Sequence, residues 1–96
     1  MLRECIQPGV YRYQDGREVC DLKSAAGKRE YDRRRRIAWM NQGALCPICK
    51  RGLFFDEAVT DHIQPRGMGG ARRDDRQENI QATHPLCNMQ KGSKRV

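Results

Sequence analysis

The sequence predicts a small α+β fold, and three observations carry that expectation. Residues 10–20 alternate around the tight-turn dipeptide Asp15-Gly16. Residues 26–42 have helical spacing, with Gly43 placed to stop the helix. Further on, two close pairs of soft side chains, Cys46/Cys49 and His84/Cys87, flank a strand–loop–strand–helix pattern. The expected organisation is one domain over 1–96. It comprises an N-terminal hairpin and arginine-rich helix (1–43), a metal-stapled core (44–92) and a basic tail (93–96).

Composition narrows the class. Ninety-six residues with 38% apolar content give a small core, and chains of this size often need a metal, disulfides or a partner to be stable. No run of about 18 apolar residues is present, so a spanning helix is excluded and no membrane partner is expected. Residues 1–9 lack a basic-then-apolar signal pattern, which points to the cytoplasm. In that compartment an odd set of five cysteines reads as metal ligands before disulfides. Lys and Arg exceed Asp and Glu by 19 to 12, and the formal charge of +7 suits a polyanion such as nucleic acid.

In chain order, Val10-Tyr11-Arg12-Tyr13 and Arg17-Glu18-Val19-Cys20 read as the two strands of the hairpin. Such a hairpin is marginal alone and must lean on the main body. Cys5 and Cys20 read as small buried hydrophobes. The helix over 26–42 carries four consecutive arginines, Arg33 to Arg36, which helical geometry spreads around most of its circumference. It is equally a solvated charged helix or one that offers Arg33 and Arg34 to phosphates. Trp39 sits among apolar neighbours and reads as core. Cys46-Pro47-Ile48-Cys49 is a knuckle turn, with Gly52 expected to let the chain fold back and Leu53-Phe54-Phe55 expected to pack beneath it. A strand over 58–63 ends at Pro65. Residues 66–77 read as a polar surface loop, 79–83 as a second strand, and Pro85 opens a helix that runs to about Lys91.

Cys46, Cys49, His84 and Cys87 have the types and the paired spacing of four-coordinate structural Zn²⁺. A lone CxxC is a weak signal, but two such pairs around a ββα pattern are a strong one. A dithiol redox pair would need a strand–helix context that is not visible here. Asp61, His62, Asn79 and Asn88 are left over. A neutral imidazole titrating near about 6.5 can take a proton from water. A carboxylate and an amide suit a hard cation such as Mg²⁺ or Mn²⁺.

Asp61-His62-Ile63-Gln64-Pro65, Asn79-Ile80-Gln81 and Cys87-Asn88-Met89-Gln90-Lys91-Gly92 resemble the HNH endonuclease family, the ββα-metal (His-Me finger) nucleases. The resemblance covers 46–91, whereas residues 1–42 match no part of the motif. It implies a zinc-stapled ββα-metal core in which His62 is the general base and Asp61 and Asn88 hold the catalytic Mg²⁺ or Mn²⁺. Asn79 would pin the loop that aims His62. This is an H-N-N version of the motif, and a fourth cysteine more often stands where His84 does. The implied activity is metal-dependent hydrolysis of DNA phosphodiesters, chiefly nicking, by a monomer or weak dimer with no small-molecule cofactor. Arg66, Arg72, Arg73 and Lys91 are further candidate phosphate contacts, Lys91 because it shares a helix face with Asn88. Two other readings compete: a noncatalytic zinc-bound nucleic-acid-binding module and a protein-interaction zinc knuckle. The pattern also carries a conflict, because neighbours on a strand point to opposite faces, yet Asp61 and His62 must serve one centre.

Overall fold

The computed structural model describes residues 3–64 and 72–91. The start of the chain forms three strands, β1 (Arg3–Gln7), β2 (Val10–Tyr13) and β3 (Glu18–Cys20), in an antiparallel sheet of that order. Val10 faces Cys20 across the β2/β3 pair, and both are fully buried. The expected hairpin is β2–β3, and β1 is an addition. Its residues are mostly exposed and lack apolar alternation, so only the Pro8-Gly9 turn dipeptide announces it. Gly9 takes a left-handed φ of +77° there. Cys5, expected to be buried, is exposed on this edge strand. Cys20 is buried as expected, and burial pushes its thiol up to about 11.

Helix α1 (Ala25–Asn41) begins at Ser24, whose hydroxyl accepts from the Gly27 amide at 3.0 Å. It ends where Gly43 and Ala44 both turn left-handed, at φ +65° and +60°. The helix lies directly on the backbone of the N-terminal segment. A Cβ on Gly9 would fall 2.2 Å from the Gly27 nitrogen, and one on Gly27 would fall 2.1 Å from the Asp21 carbonyl oxygen. Asp21 in turn donates its amide to the Gly9 carbonyl at 2.7 Å. This three-way backbone contact fixes the angle at which the sheet meets the helix.

The knuckle follows, closed by the Cys46 amide on the Arg51 carbonyl (2.9 Å) and the Lys50 amide on the Cys46 carbonyl (2.8 Å). Its left-handed residue is Lys50, at φ +66°, and not Gly52 as expected. Strands β4 (Val59–His62) and β5 (Ile80–Thr83) pair antiparallel, with Asp61 opposite Gln81 and His62 opposite Ile80. Helix α2 (Pro85–Lys91) completes the ββα order. α1 packs on β5, and the Gln42 amide mimics a neighbouring strand there. Its nitrogen donates to the Ala82 carbonyl at 2.9 Å, and its oxygen accepts from the Ala82 amide at 2.8 Å.

Cys46, Leu53, Ala58 and Ala82 form the buried cluster of this half, with Trp39, Ile48, Cys49 and Cys87 packed against it. Trp39 donates its indole N–H to the Leu53 carbonyl at 2.6 Å and meets the Phe55 ring edge-on at 5.7 Å. Leu53 packs inward as expected. Phe54 does not: it is 78% exposed, because the chain turns into a short 3-10 helix at Phe55–Glu57. Among the described residues no helix is long and apolar enough to cross a membrane.

The contact between Gly9, Gly27 and Asp21 makes a direct prediction. In an ordinary helix, Gly→Ala stabilises by about 1 kcal/mol. Here Gly27→Ala should instead destabilise by about 1–3 kcal/mol, because the added methyl overlaps backbone that cannot yield cheaply. Thermal or denaturant unfolding checks the sign, and a more stable variant would refute the close approach.

Candidate functional site

Two groups of polar side chains sit on either side of β5. The first is the soft quartet. The ligand atoms of Cys46, Cys49, His84 and Cys87 all lie within 4.8 Å of one another. The His84 Nε2 donates to the Gly52 carbonyl at 3.1 Å, which turns Nδ1 toward the sulfurs, 3.4 Å from Cys49 Sγ and 3.9 Å from Cys87 Sγ. Tetrahedral zinc, with bonds of about 2.3 Å to sulfur and about 2.0 Å to nitrogen, holds such atoms about 3.5 Å apart, so the donor set and spacing fit. The hydrogen bond on the far nitrogen is the usual partner that orients a ligating histidine. When protons balance the quartet, its members compete for them. Burial pushes the Cys46 thiol up, but hydrogen bonds from the Cys49, His84 and Ile48 backbone and from the His84 ring outweigh it and bring it down to about 6. Burial and the neighbouring Cys49 and Cys46 sulfurs push Cys87 up to about 11. A cation in place of those protons would clamp the knuckle to the start of α2 across the buried cluster.

The second group surrounds the end of β4. Asp61 is buried against α2, and its Oδ2 accepts from Lys91 Nζ at 2.8 Å and from Gln81 Nε2 at 2.6 Å. Lys91 Nζ also donates to the His62 carbonyl at 2.7 Å. Asp61 Oδ1 makes no hydrogen bond among the described residues. His62 points to the other face of the strand, beside the Tyr31 ring of α1. Its Nε2 lies 2.8 Å from Oδ1 of Asp75, a residue with no exposure at all. Asn79 accepts from the Gln64 amide at 2.9 Å and donates to the Asp74 and Gln64 carbonyls, tying both ends of the loop that follows His62. Asn88 is half-buried in α2, one turn before Lys91. The face it shares with Lys91 is therefore the one turned toward Asp61.

The arginine and lysine candidates divide sharply. Arg33 is exposed and, among the described residues, bonded only to Glu30. Arg34, offered by the sequence to phosphates, is instead buried, bonded to Glu30, Glu18 and the Asp75 carbonyl. Lys91 is likewise not a surface cation, since its side chain is 1% exposed and paired with Asp61. Arg73 bonds the Asp75 carboxylate and the Cys20 carbonyl, and Arg72 lies over the Tyr13 ring. Arg66, the glycine-rich 67–70 stretch and the 93–96 tail lie outside the described residues.

Asp75 and Gln81 are the residues that sequence reasoning missed. Residues 72–76 run beside β3: Asp75 donates its amide to the Glu18 carbonyl at 2.7 Å, and its Oδ2 accepts from the Cys20 amide at 2.8 Å. Burial works against the charge on Asp75. The hydrogen bonds from His62, the Cys20 amide and Arg73 outweigh it and hold the carboxyl below its usual range. Nothing in the spacing marks this carboxylate, because the pairing that buries it depends on the N-terminal sheet.

A family model described as HNH endonuclease matches residues 46–94, just over half of the chain. The chain belongs to the HNH endonuclease family. No curated protein and no solved structure matches it. The matched segment contains the soft quartet, β4, β5 and α2, which together form the zinc-stapled ββα core of that family.

Two predictions arise here. Cys46→Ala or Cys87→Ala should lose zinc and cooperative folding together, and elemental analysis of the wild type should find one zinc per chain. A zinc-free preparation that still unfolds cooperatively would contradict a structural role. Lys91→Met leaves the Asp61 carboxylate buried without its counter-ion, so it should cost about 3–5 kcal/mol in denaturant unfolding. Added Mg²⁺ or Mn²⁺ should recover part of that loss, and an unchanged midpoint would rule out the buried pair.

Proposed function

We propose that the protein is a metal-dependent DNA endonuclease in which His62 activates the attacking water. One observation carries the reading: Lys91, three residues after Asn88, reaches Asp61. The face of α2 that carries Asn88 is therefore turned toward that buried carboxylate. Asp61 and Asn88 would hold Mg²⁺ or Mn²⁺, which when bound neutralises charge developing on the phosphate and its leaving oxygen. His62 accepts the proton as the water oxygen bonds to phosphorus and the ester oxygen departs. Asn79 keeps the segment after His62 from swinging away, through both ends of its amide.

DNA as substrate is supported by the basic balance of the chain and by the solvent side of α1. Arg29, Arg33 and Arg36 recur there at helical spacing as an exposed stripe. A single centre per chain favours nicks, with double-strand breaks needing two engaged copies.

The test is single-turnover cleavage of supercoiled plasmid over a Mg²⁺ and Mn²⁺ titration, with zinc measured in every variant. His62→Ala should keep zinc and DNA affinity but cleave about 10²–10⁴ more slowly, whatever the metal concentration. Asn88→Ala should be slow at low metal and partly recover at high metal, whereas Asn88→His should retain cleavage. Wild-type rates from His62→Ala would leave a noncatalytic zinc-bound nucleic-acid-binding module as the better account.

A further inference from the structure

We infer that Asp75 is a positioning residue for His62, its buried carboxylate holding the Nε2–H so that Nδ1 is the atom that takes the proton from water. The inference rests on the reading of His62 as the base and specifies how that base is aimed.

The carboxylate of Asp75 is ringed by donors. Oδ2 accepts from the Cys20 amide at 2.8 Å and from Arg73 Nε at 2.9 Å, and Oδ1 accepts from Arg73 Nε at 3.0 Å. An ionised carboxylate offers no hydrogen, so the 2.8 Å contact with His62 requires the hydrogen to sit on Nε2. Neutral His62 then carries its lone pair on Nδ1. That atom has no hydrogen-bond partner among the described residues, and the His62 side chain is 17% exposed. The water O–H bond breaks onto Nδ1, its oxygen forms the new bond to phosphorus, and the ester oxygen leaves. Asp75 remains a carboxylate throughout and steadies the imidazolium.

Asp75 is itself held from both sides of the N-terminal half. Its amide is fixed on the Glu18 carbonyl of β3, and its carbonyl accepts from Arg34 Nη1 of α1 at 2.8 Å. Glu18, Cys20 and Arg34 all lie outside the 46–94 family match. The segment that the family model does not cover therefore sets the orientation of the base.

The decisive measurement is the long-range ¹H–¹⁵N correlation spectrum of the His62 ring in the zinc-loaded protein. It is recorded without added Mg²⁺, at a pH well above the ordinary imidazole value of about 6.5. The expected pattern is a protonated-type Nε2 and a pyridine-type Nδ1. In Asp75→Asn the amide oxygen should stay with the Cys20 amide and Arg73, so that its NH₂ faces His62. The pyridine-type signal should then move to Nε2, and single-turnover cleavage should fall about 10²–10⁴-fold with zinc content and DNA affinity retained. A comparable wrong-tautomer substitution in a Ser–His–Asp triad lowers kcat by about 10⁴. A wild-type His62 protonated on Nδ1 overturns the inference, and it does so even if Asp75→Asn fails to fold. So does an Asp75→Asn variant with wild-type spectrum and rate. The expected wild-type tautomer with no cleavage at all would instead sink the nuclease reading and leave Asp75 as the holder of His62.

Discussion

A carboxylate without access to water, that of Asp75, is where the two halves of the chain meet. A buried charge costs several kcal/mol unless it is paired and hydrogen-bonded. Asp75 meets that cost with donors from three places: the Cys20 amide, the Arg73 guanidinium and the His62 ring. The arrangement is cooperative in a strict sense. Withdrawing β3 removes the Cys20 amide, withdrawing α1 removes the Arg34 bond to the Asp75 carbonyl, and either loss leaves His62 opposite a poorly held anion. Residues 3–41 are therefore more than an appendage on a family core. They supply donors that hold Asp75, the partner of the His62 ring.

The quartet and the β4 end solve different problems with different chemistry. Thiolates and an imidazole, packed among Leu53, Ala58 and Ala82, make a closed and rigid site that a small apolar core needs. In the proposed reading, oxygen donors at the end of β4 would make an open one, suited to a hard ion that keeps positions for water and phosphate. The two lie close together in sequence, since Cys87 belongs to one and Asn88 is proposed for the other. Stapling Cys87 to the knuckle thereby also fixes the turn of α2 that carries Asn88 and Lys91 toward β4.

The ββα order, the quartet, the extent of α2 and the presence of α1 are legible in the sequence because each rests on local rules: ligand pairing, strand period, a proline at a helix start, a glycine after its end. What is illegible depends on distant pairing. β1 is polar and lies on an edge, so no period betrays it. Arg34 is the second of four arginines and looks like its neighbours until Glu18 and Asp75 close around it. Lys91 looks like a surface cation at the end of a helix, yet its position one turn after Asn88 delivers it to Asp61. Phe54 and Phe55 are adjacent and chemically identical, and only the 3-10 turn decides that Phe55 meets Trp39 while Phe54 faces solvent.

Strand alternation holds to the end of β4. Asp61 and His62 do point to opposite faces, one toward α2 and the other toward Asp75 and Tyr31. Lys91 joins the two residues, because a single ammonium donates to the Asp61 carboxylate and to the His62 carbonyl. That carbonyl belongs to the last residue of the strand, beyond which the Ile63 amide turns back onto the Asn79 carbonyl at 2.9 Å. The backbone is thus held on one side by Lys91 and on the other by Asn79, while the ring of His62 is held by Asp75. Main chain and ring are anchored separately, and the two side chains flank the strand end from opposite faces. In the proposed reaction, a cation beside Asp61 and a water beside His62 would therefore approach the same phosphate from different sides.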